Sequence, residues 1–458
     1  MDVILINPPH SFMQAHRGGK KSKKELLSYP PLGLLYLGAV LERDNINVKI
    51  IDSPANGSNI DDIVQIIEEE KPSIVGITAT TPQIQSAVHL AKALRSKFGD
   101  NLIIGLGGAH ISADPDFIKR FPYFDFGLTG EGELTFLEIV KKILGGEKVK
   151  GVYPGEALTN LDSIPFPARH LIDNSLYFMP INAKRFTSII TSRGCPYNCL
   201  YCSRPVIGKN VRYRSTSNAV DEMEECIKKY GIEWFQFVDD TTTLNKNHIL
   251  SLCKAIIARK LNIEWGCQTR IDLVDEPLLK IMHEAGCREI SFGVESGSER
   301  IRSILRKTFN DNSVFTAFKL CRKVGIETTA FLLLGLPTET KDEVYKTVNF
   351  GKKIEADYIE VHVSTPFPGS DLFNIATEEN IIPADVWDKY TQGKLGSTLP
   401  LYIPNCLTRE EVLAAQKQAY KNFYFRTSYI CRRLSQDIFS AQKLKRDISV
   451  MRTLKGSK

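Results

Sequence analysis

Residues 191–205 read TSRGCPYNCLYCSRP and place Cys195, Cys199 and Cys202 within eight positions, as C-x3-C-x2-C. Thiolates this close bind metal or exchange disulfides. A structural zinc site wants a fourth Cys or His at short range, and the nearest histidines, His170 and His248, lie outside finger spacing. A redox pair is available in Cys199 and Cys202 but leaves Cys195 without a part. An iron–sulfur cubane held by three cysteines keeps one iron open, and an open metal position is a substrate position. The other seven of the ten cysteines are scattered downstream, as small buried hydrophobes are, and none precedes Cys195.

The elements that must position this loop follow from periodicity. Short apolar runs at 3–7, 48–52, 73–78, 102–108 and 124–130 alternate with helical patterns at 33–42, 60–70, 83–97, 114–121 and 133–144. Five such units predict a doubly wound α/β domain of the Rossmann or flavodoxin type over 1–145. Its strands end in permissive residues, among them Thr78, Thr80, Gly107, Gly108, His110, Gly130 and Glu131. Residues 146–184, with Pro154, Pro165, Pro167 and Pro180, read as a linker. Six further strands at 187–194, 234–240, 263–270, 289–296, 328–337 and 358–369 predict a partial (β/α)6 barrel over 185–380. The cysteine loop follows the first of them, where barrels carry their chemistry. Residues 381–458 read as a helical extension with a basic end.

The chain has 458 residues, 43% hydrophobic and 24% charged, with a net charge of +6 that does not by itself indicate nucleic acid. No apolar run reaches bilayer length, and the start, MDVILINPPHSF, lacks the marks of a secretory signal. A cytoplasmic protein is expected.

GCPYNCLYC resembles the signature loop of the radical S-adenosylmethionine superfamily. The resemblance implies a 4Fe-4S cluster on Cys195, Cys199 and Cys202. The fourth ligand is then S-adenosylmethionine, cleaved to a 5′-deoxyadenosyl radical. It implies that Tyr201 packs by the adenine and that Asp239 and Asp240, in FVDD, hold the amino group. Arg270 would grip the carboxylate. Glu295 and Ser296, in FGVESGSE, would contact the methionine or ribose portion, and Gly335 would admit the adenine. Glu339 is out of the commonest register and receives no contact. No catalytic residue is assigned.

YPPLGLLYLGAVL (29–41), GLGGAHISADPDFI (105–118) and TGEGELTF (129–136) resemble the cobalamin-binding domains of that superfamily. The seven strand-end residues named above are the candidate cobalamin contacts. None of the eight histidines stands in D-x-H-x-x-G, which fits cobalamin bound without a lower histidine ligand and also a domain that has lost cobalamin. The activity implied is radical methylation of an unactivated carbon in a small-molecule or lipid-like metabolite. A cobalamin-binding radical cyclase or rearrangement enzyme, and a non-catalytic cobalamin or redox sensor, are the alternatives. Sulfur insertion into RNA is disfavoured because residues 1–194 hold no cysteine for a second cluster. An acidic electron donor such as flavodoxin or ferredoxin is expected to dock near Arg193, Arg204, Lys209, Arg212 and Arg214. A cap over the barrel is expected from NFYFRTSYI in the extension.

Overall fold

The computed structural model describes residues 1–9, 28–179, 183–204, 206–396 and 398–437. The first sheet has six parallel strands: β1 (Val3–Asn7), β2 (Val48–Asp52), β3 (Ile74–Thr78), β4 (Ile103–Gly107), β5 (Phe126–Thr129) and β6 (Gly151–Pro154). Helices α1 (Leu32–Arg43), α2 (Ile60–Glu70), α3 (Ile84–Phe98), α4 (Ala109–Ala113) and α5 (Glu133–Leu144) connect them. The apolar runs are buried on both faces, as a covered parallel sheet requires. The order β2-β1-β3-β4-β5-β6 reverses between β1 and β3, which opens a crevice at Asn7, Thr78 and Thr80. Strand β6 lies in the expected linker. Its four residues, GVYP, are too short and too rich in Gly and Pro to show a strand period.

The second sheet is also parallel. In chain order its strands are β7 (Phe186–Ile189), β10 (Trp234–Phe237), β11 (Glu264–Thr269), β12 (Cys287–Glu295), β13 (Glu327–Leu334) and β14 (Tyr358–Val363). A two-stranded ribbon, β8 (Ser192–Arg193) against β9 (Arg212–Tyr213), stands at the end of β7. The covering helices are α6 (Thr216–Tyr230), α7 (Lys246–Ala258), α8 (Glu276–Glu284), α9 (Glu299–Ile304), α10 (Asp311–Val324) and α11 (Lys341–Lys353). One buried cluster joins them to the sheet through Phe235, Phe237, Trp265, Ile290, Phe292, Ala330 and Leu332. The strands run in sequence order and β7 does not pair with β14, so this is an open six-stranded barrel.

After β14, α12 (Asp371–Glu378) and α13 (Val386–Thr391) return to the first sheet. Tyr390 donates its hydroxyl to Pro82 O at 2.9 Å and accepts Gln85 Nε2 on its carbonyl at 3.1 Å. Helix α14 (Arg409–Tyr424) and α15 (Thr427–Asp437) then cover the outer edge of β14. The NFYFRTSYI segment thus seals a sheet edge and not the barrel mouth. Of the basic residues at 417–458, Arg426 binds Lys352 O, and Arg432 binds Glu355 O and Ala356 O. Those from Lys443 onward lie outside the described residues.

Candidate functional site

The cysteine loop leaves and re-enters the barrel through the β8–β9 ribbon, so its two ends are fixed together. Gly194 has φ 102°, and a Cβ there would stand 2.3 Å from Asn210 O, so only glycine fits before Cys195. Cys195 N–H donates to Gly208 O at 3.3 Å and Cys202 N–H to Cys199 O at 3.1 Å. Arg204 threads the loop, donating to Cys195 O at 3.3 Å, to Asn198 Oδ1 at 2.6 Å and to Tyr197 O. Outside segments hold it as well. Arg306 donates to Asn198 O at 2.9 Å, and Leu372 N–H to Leu200 O at 2.9 Å.

Burial, and then the neighbouring Cys199 thiol, push the Cys202 thiol up to about 11. A buried thiol stabilised as thiolate needs positive charge at hand, which iron supplies. Among the described residues no three His, Cys, Asp or Glu side chains converge on one ion position.

The candidate S-adenosylmethionine residues divide by what already occupies them. Asp239 is buried and accepts Thr191 N–H (2.6 Å), Thr191 Oγ1 (2.6 Å) and Ser192 N–H (3.0 Å). Burial pushes it up to about 6 against those bonds. It anchors the loop's entry, with both oxygens already accepting hydrogen bonds. Asp240 is more open, accepting only Gly194 N–H at 3.0 Å, and is the available acceptor of the pair. Arg270 is chelated by Asp272 at 2.9 and 2.8 Å and lies 3.8 Å from the Tyr197 ring centroid. Its Nη1 is buried without a partner, an orphan donor that fits a carboxylate. Glu295 is taken by Tyr201 and Lys307. Ser296 Oγ faces Thr347 Oγ1 at 3.0 Å and accepts Ser298 N–H at 3.1 Å. At Gly335, φ 74°, a Cβ would stand 2.8 Å from Tyr402 O, so the chain's own backbone explains that glycine.

Across from the loop, the carboxyl ends of the first sheet frame a cavity of about 220 Å³. Thr78, Gly107, Gly108, Gly130 and Glu131 line it from one side; Ser192, Arg193, Val206, Ile207 and Val238 line it from the other. A second cavity of about 360 Å³ adjoins it, bounded by Asn7, Tyr29, Thr78 and Thr80. The second falls within the ~300–1,000 Å³ of ligand sites, and the first extends it. A Cβ on Gly107 would meet nothing within 4 Å, so the strand end lies open to a ligand. Among the described residues, the lining contains no histidine.

His110 is turned out of the cavity. Its ring is fully buried against Phe117, centroids 4.6 Å apart, and Nδ1 lies 3.3 Å from Thr81 Oγ1. Burial pushes its pKa down to about 3, and it lines neither cavity. Thr80 Oγ1 donates to Gln83 Oε1 at 2.8 Å in a capping box. Glu131 accepts Arg193 at 3.1 Å and also Arg212, and Arg193 reaches Glu133 at 2.7 Å. These ion pairs, which sequence reasoning missed, bind the ribbon under the cysteine loop to the rim of the cavity. The buried Arg193 and Arg214 and the half-buried Arg212 are partners of Glu131, Glu133 and Glu222, and of the five basic residues of the expected docking site only Lys209 is exposed.

The barrel interior mixes polar and aromatic side chains. Gly266 lies under Gln236 Oε1, the Trp234 ring and Glu289 Cβ, which share one space inside the sheet. Thr329 Oγ1 donates to Glu289 Oε1 at 3.2 Å. Gln268, Glu360 and His362 continue that face and are exposed.

The Radical SAM superfamily model matches residues 189–351, and the B12 binding domain model matches residues 26–140. An uncharacterized methyltransferase of Pyrococcus horikoshii is 33% identical over 455 residues, covering 96% of this chain and 95% of that protein. The anaerobic magnesium-protoporphyrin IX monomethyl ester cyclase of Rubrivivax gelatinosus is 26% identical, covering 94% and 78%. Among solved structures, the radical S-adenosylmethionine methyltransferase TsrM from Kitasatospora setae, with cobalamin and a [4Fe-4S] cluster bound, superposes with a TM-score of 0.66. The match covers 93% of this chain and 82% of TsrM at 19% identity, a likeness of fold. Among the described residues no helix is long and apolar enough to cross a membrane. The cysteine loop at the end of β7 and the glycine-rich cavity facing it are thus the two halves of one architecture, and the chain belongs to the radical SAM superfamily, in the branch that carries an N-terminal B12 binding domain.

Proposed function

We propose that this protein is a cobalamin-dependent radical S-adenosylmethionine methyltransferase acting on an unactivated carbon of a polar small molecule. The observation that carries the reading is the cavity walled jointly by the cysteine loop's Arg193, Val206 and Ile207 and by the strand-end glycines of the first sheet. The reading divides the chain into a cobalamin-binding unit (1–145), a linker (146–184), a radical barrel (185–380) and a helical extension (381–458). When bound, the 4Fe-4S cluster with S-adenosylmethionine supplies a carbon-based radical, and cobalamin supplies the methyl group.

The chain's own residues bind and orient. Cys195, Cys199 and Cys202 hold the cluster. Asp240 accepts the ammonium of S-adenosylmethionine, and Arg270 Nη1 donates to its carboxylate. Thr78, Thr80, Gly107, Gly108, Gly130 and Glu131 border the cobalamin. Gln236, Gln268, Glu360 and His362 face the substrate, which favours a hydrogen-bonding molecule over a lipid-like one. The reductant is an acidic flavodoxin or ferredoxin in the cytoplasm.

The test is anaerobic purification from cobalamin-supplied cells with metal counts. About four iron and about one cobalt per chain are expected, and Cys199→Ala should lose the iron and all S-adenosylmethionine cleavage. Cleavage retained in Cys199→Ala removes the cluster assignment. Iron without cobalt after reconstitution removes methyl transfer from cobalamin and leaves a radical enzyme whose first domain serves another purpose.

A further inference from the structure

Both tyrosines of the cysteine loop are gripped from the barrel. Tyr197 lies beneath the Arg270 guanidinium, whose far edge Asp272 holds. Tyr201, between Cys199 and Cys202, donates its hydroxyl to Glu295 Oε1 at 2.6 Å. This second grip requires three unusual residues. Glu295 stands at φ 68°, in the left-handed region that non-glycine residues rarely occupy, where the β12–β13 register shifts. Lys307 Nζ, its side chain 5% exposed, lies 3.0 Å from Glu295 Oε1 and 3.4 Å from Gly293 O. The ammonium is also 5.8 Å from the Tyr201 ring centroid. A Cβ on Gly293 would stand 2.4 Å from Glu295 Oε1 and 3.0 Å from Lys307 Nζ, so the glycine makes room for the pair.

A buried ion pair adds little net stability by itself, and a left-handed glutamate subtracts some. Their coincidence behind one loop hydroxyl calls for a reason beyond stability. We propose that Lys307 is a positioning residue for the cluster. It neutralises and aims Glu295, and Glu295, through the Tyr201 hydroxyl, holds the Cys199–Cys202 segment in its iron-binding geometry. The proposal rests on the radical S-adenosylmethionine reading of the loop.

The test compares wild type, Lys307→Met, Lys307→Arg, Tyr201→Phe and the Lys307→Met/Tyr201→Phe double variant, each full-length and reconstituted anaerobically. Iron content and the EPR spectrum of the dithionite-reduced cluster are read with and without S-adenosylmethionine, beside 5′-deoxyadenosine formation. Lys307→Met should lose iron, shift the cluster's g-values and slow 5′-deoxyadenosine formation about tenfold, with Lys307→Arg recovering most of it. Tyr201→Phe removes one oxygen, spares the ion pair and should shift the g-values the same way; the double variant should be no worse than Lys307→Met. Wild-type iron and spectra in both single variants overturn the proposal, as do additive losses in the double variant. So does a raised KM for S-adenosylmethionine with an unchanged spectrum before it is added, which would make Lys307 a direct contact. Wild-type protein that takes up no iron overturns the cluster reading together with this one.

Discussion

At Glu339, Oε2 accepts the backbone N–H groups of Gly335 (2.8 Å) and Leu336 (3.1 Å), while Oε1 is buried without a partner. Burial pushes this carboxyl up to about 7 against those two bonds. A carboxyl raised in the folded state favours folding while protonated. Its contribution is therefore complete below the ordinary glutamate range and is lost as pH rises through about 7. Glu339→Gln keeps an oxygen for both N–H groups and carries no charge. The wild-type urea midpoint should fall relative to Glu339→Gln between about pH 5 and pH 8; parallel profiles would contradict this. The residue also marks where sequence reading stops. The three cysteines were legible because their spacing is local. Glu339's grip on its own loop depends on how the backbone turns back after β13, and His110 sat beside a glycine pair yet turned into the core. Neither outcome has a signature in residue type. Asp239 and Asp240 are alike in sequence, and only the N–H groups of Thr191 and Ser192 distinguish them.

Strand β14 is an edge that would otherwise present unpaired backbone groups. Helix α14 answers with side chains. Val361 N–H donates to Tyr420 Oη at 2.9 Å, and Ile359 N–H to Tyr424 Oη at 3.3 Å. Gln416 Nε2 donates to Val361 O at 2.7 Å, and Tyr429 Oη to Asp357 O at 3.0 Å. Three phenols and an amide thus stand in for a seventh strand. Tyr420→Phe leaves the Val361 N–H without its acceptor and should lower stability by about 1–3 kcal/mol, read by denaturant unfolding. A change below the error of that measurement would show water taking over. The helical pattern of α14 was legible, as were α2 and α5 nearly to the residue, because long amphipathic stretches repeat. Its pairing with β14 was not, since tyrosines so placed read equally well as core.

The two sheets are joined where their carboxyl ends meet. Arg193 and Arg212 with Glu131 and Glu133 form a buried ionic bond across that boundary, and the Arg193 guanidinium also lies 5.2 Å from the Tyr36 ring centroid. Arg193→Ala strands the buried Glu133 carboxylate, while Glu131 keeps Arg212, and should cost ~3–5 kcal/mol, with cobalamin retention lost whichever electron donor is supplied. A variant with normal stability that slows only with flavodoxin would restore the docking expectation. The paired domains were legible in the alternation of runs, but the boundary ion pairs were not, because they join residues about sixty positions apart.

The return of α13 to the first sheet gives the cleft a second fastening. Gln85 and Pro82 hold Tyr390, and Arg120 holds Asp388 at 2.7 Å. A cleft fastened on two sides does not swing open about one hinge; widening it means undoing one fastening first. Passage of a large ligand through it is therefore a local unfolding event, and its rate reports the stability of α13 on the first sheet.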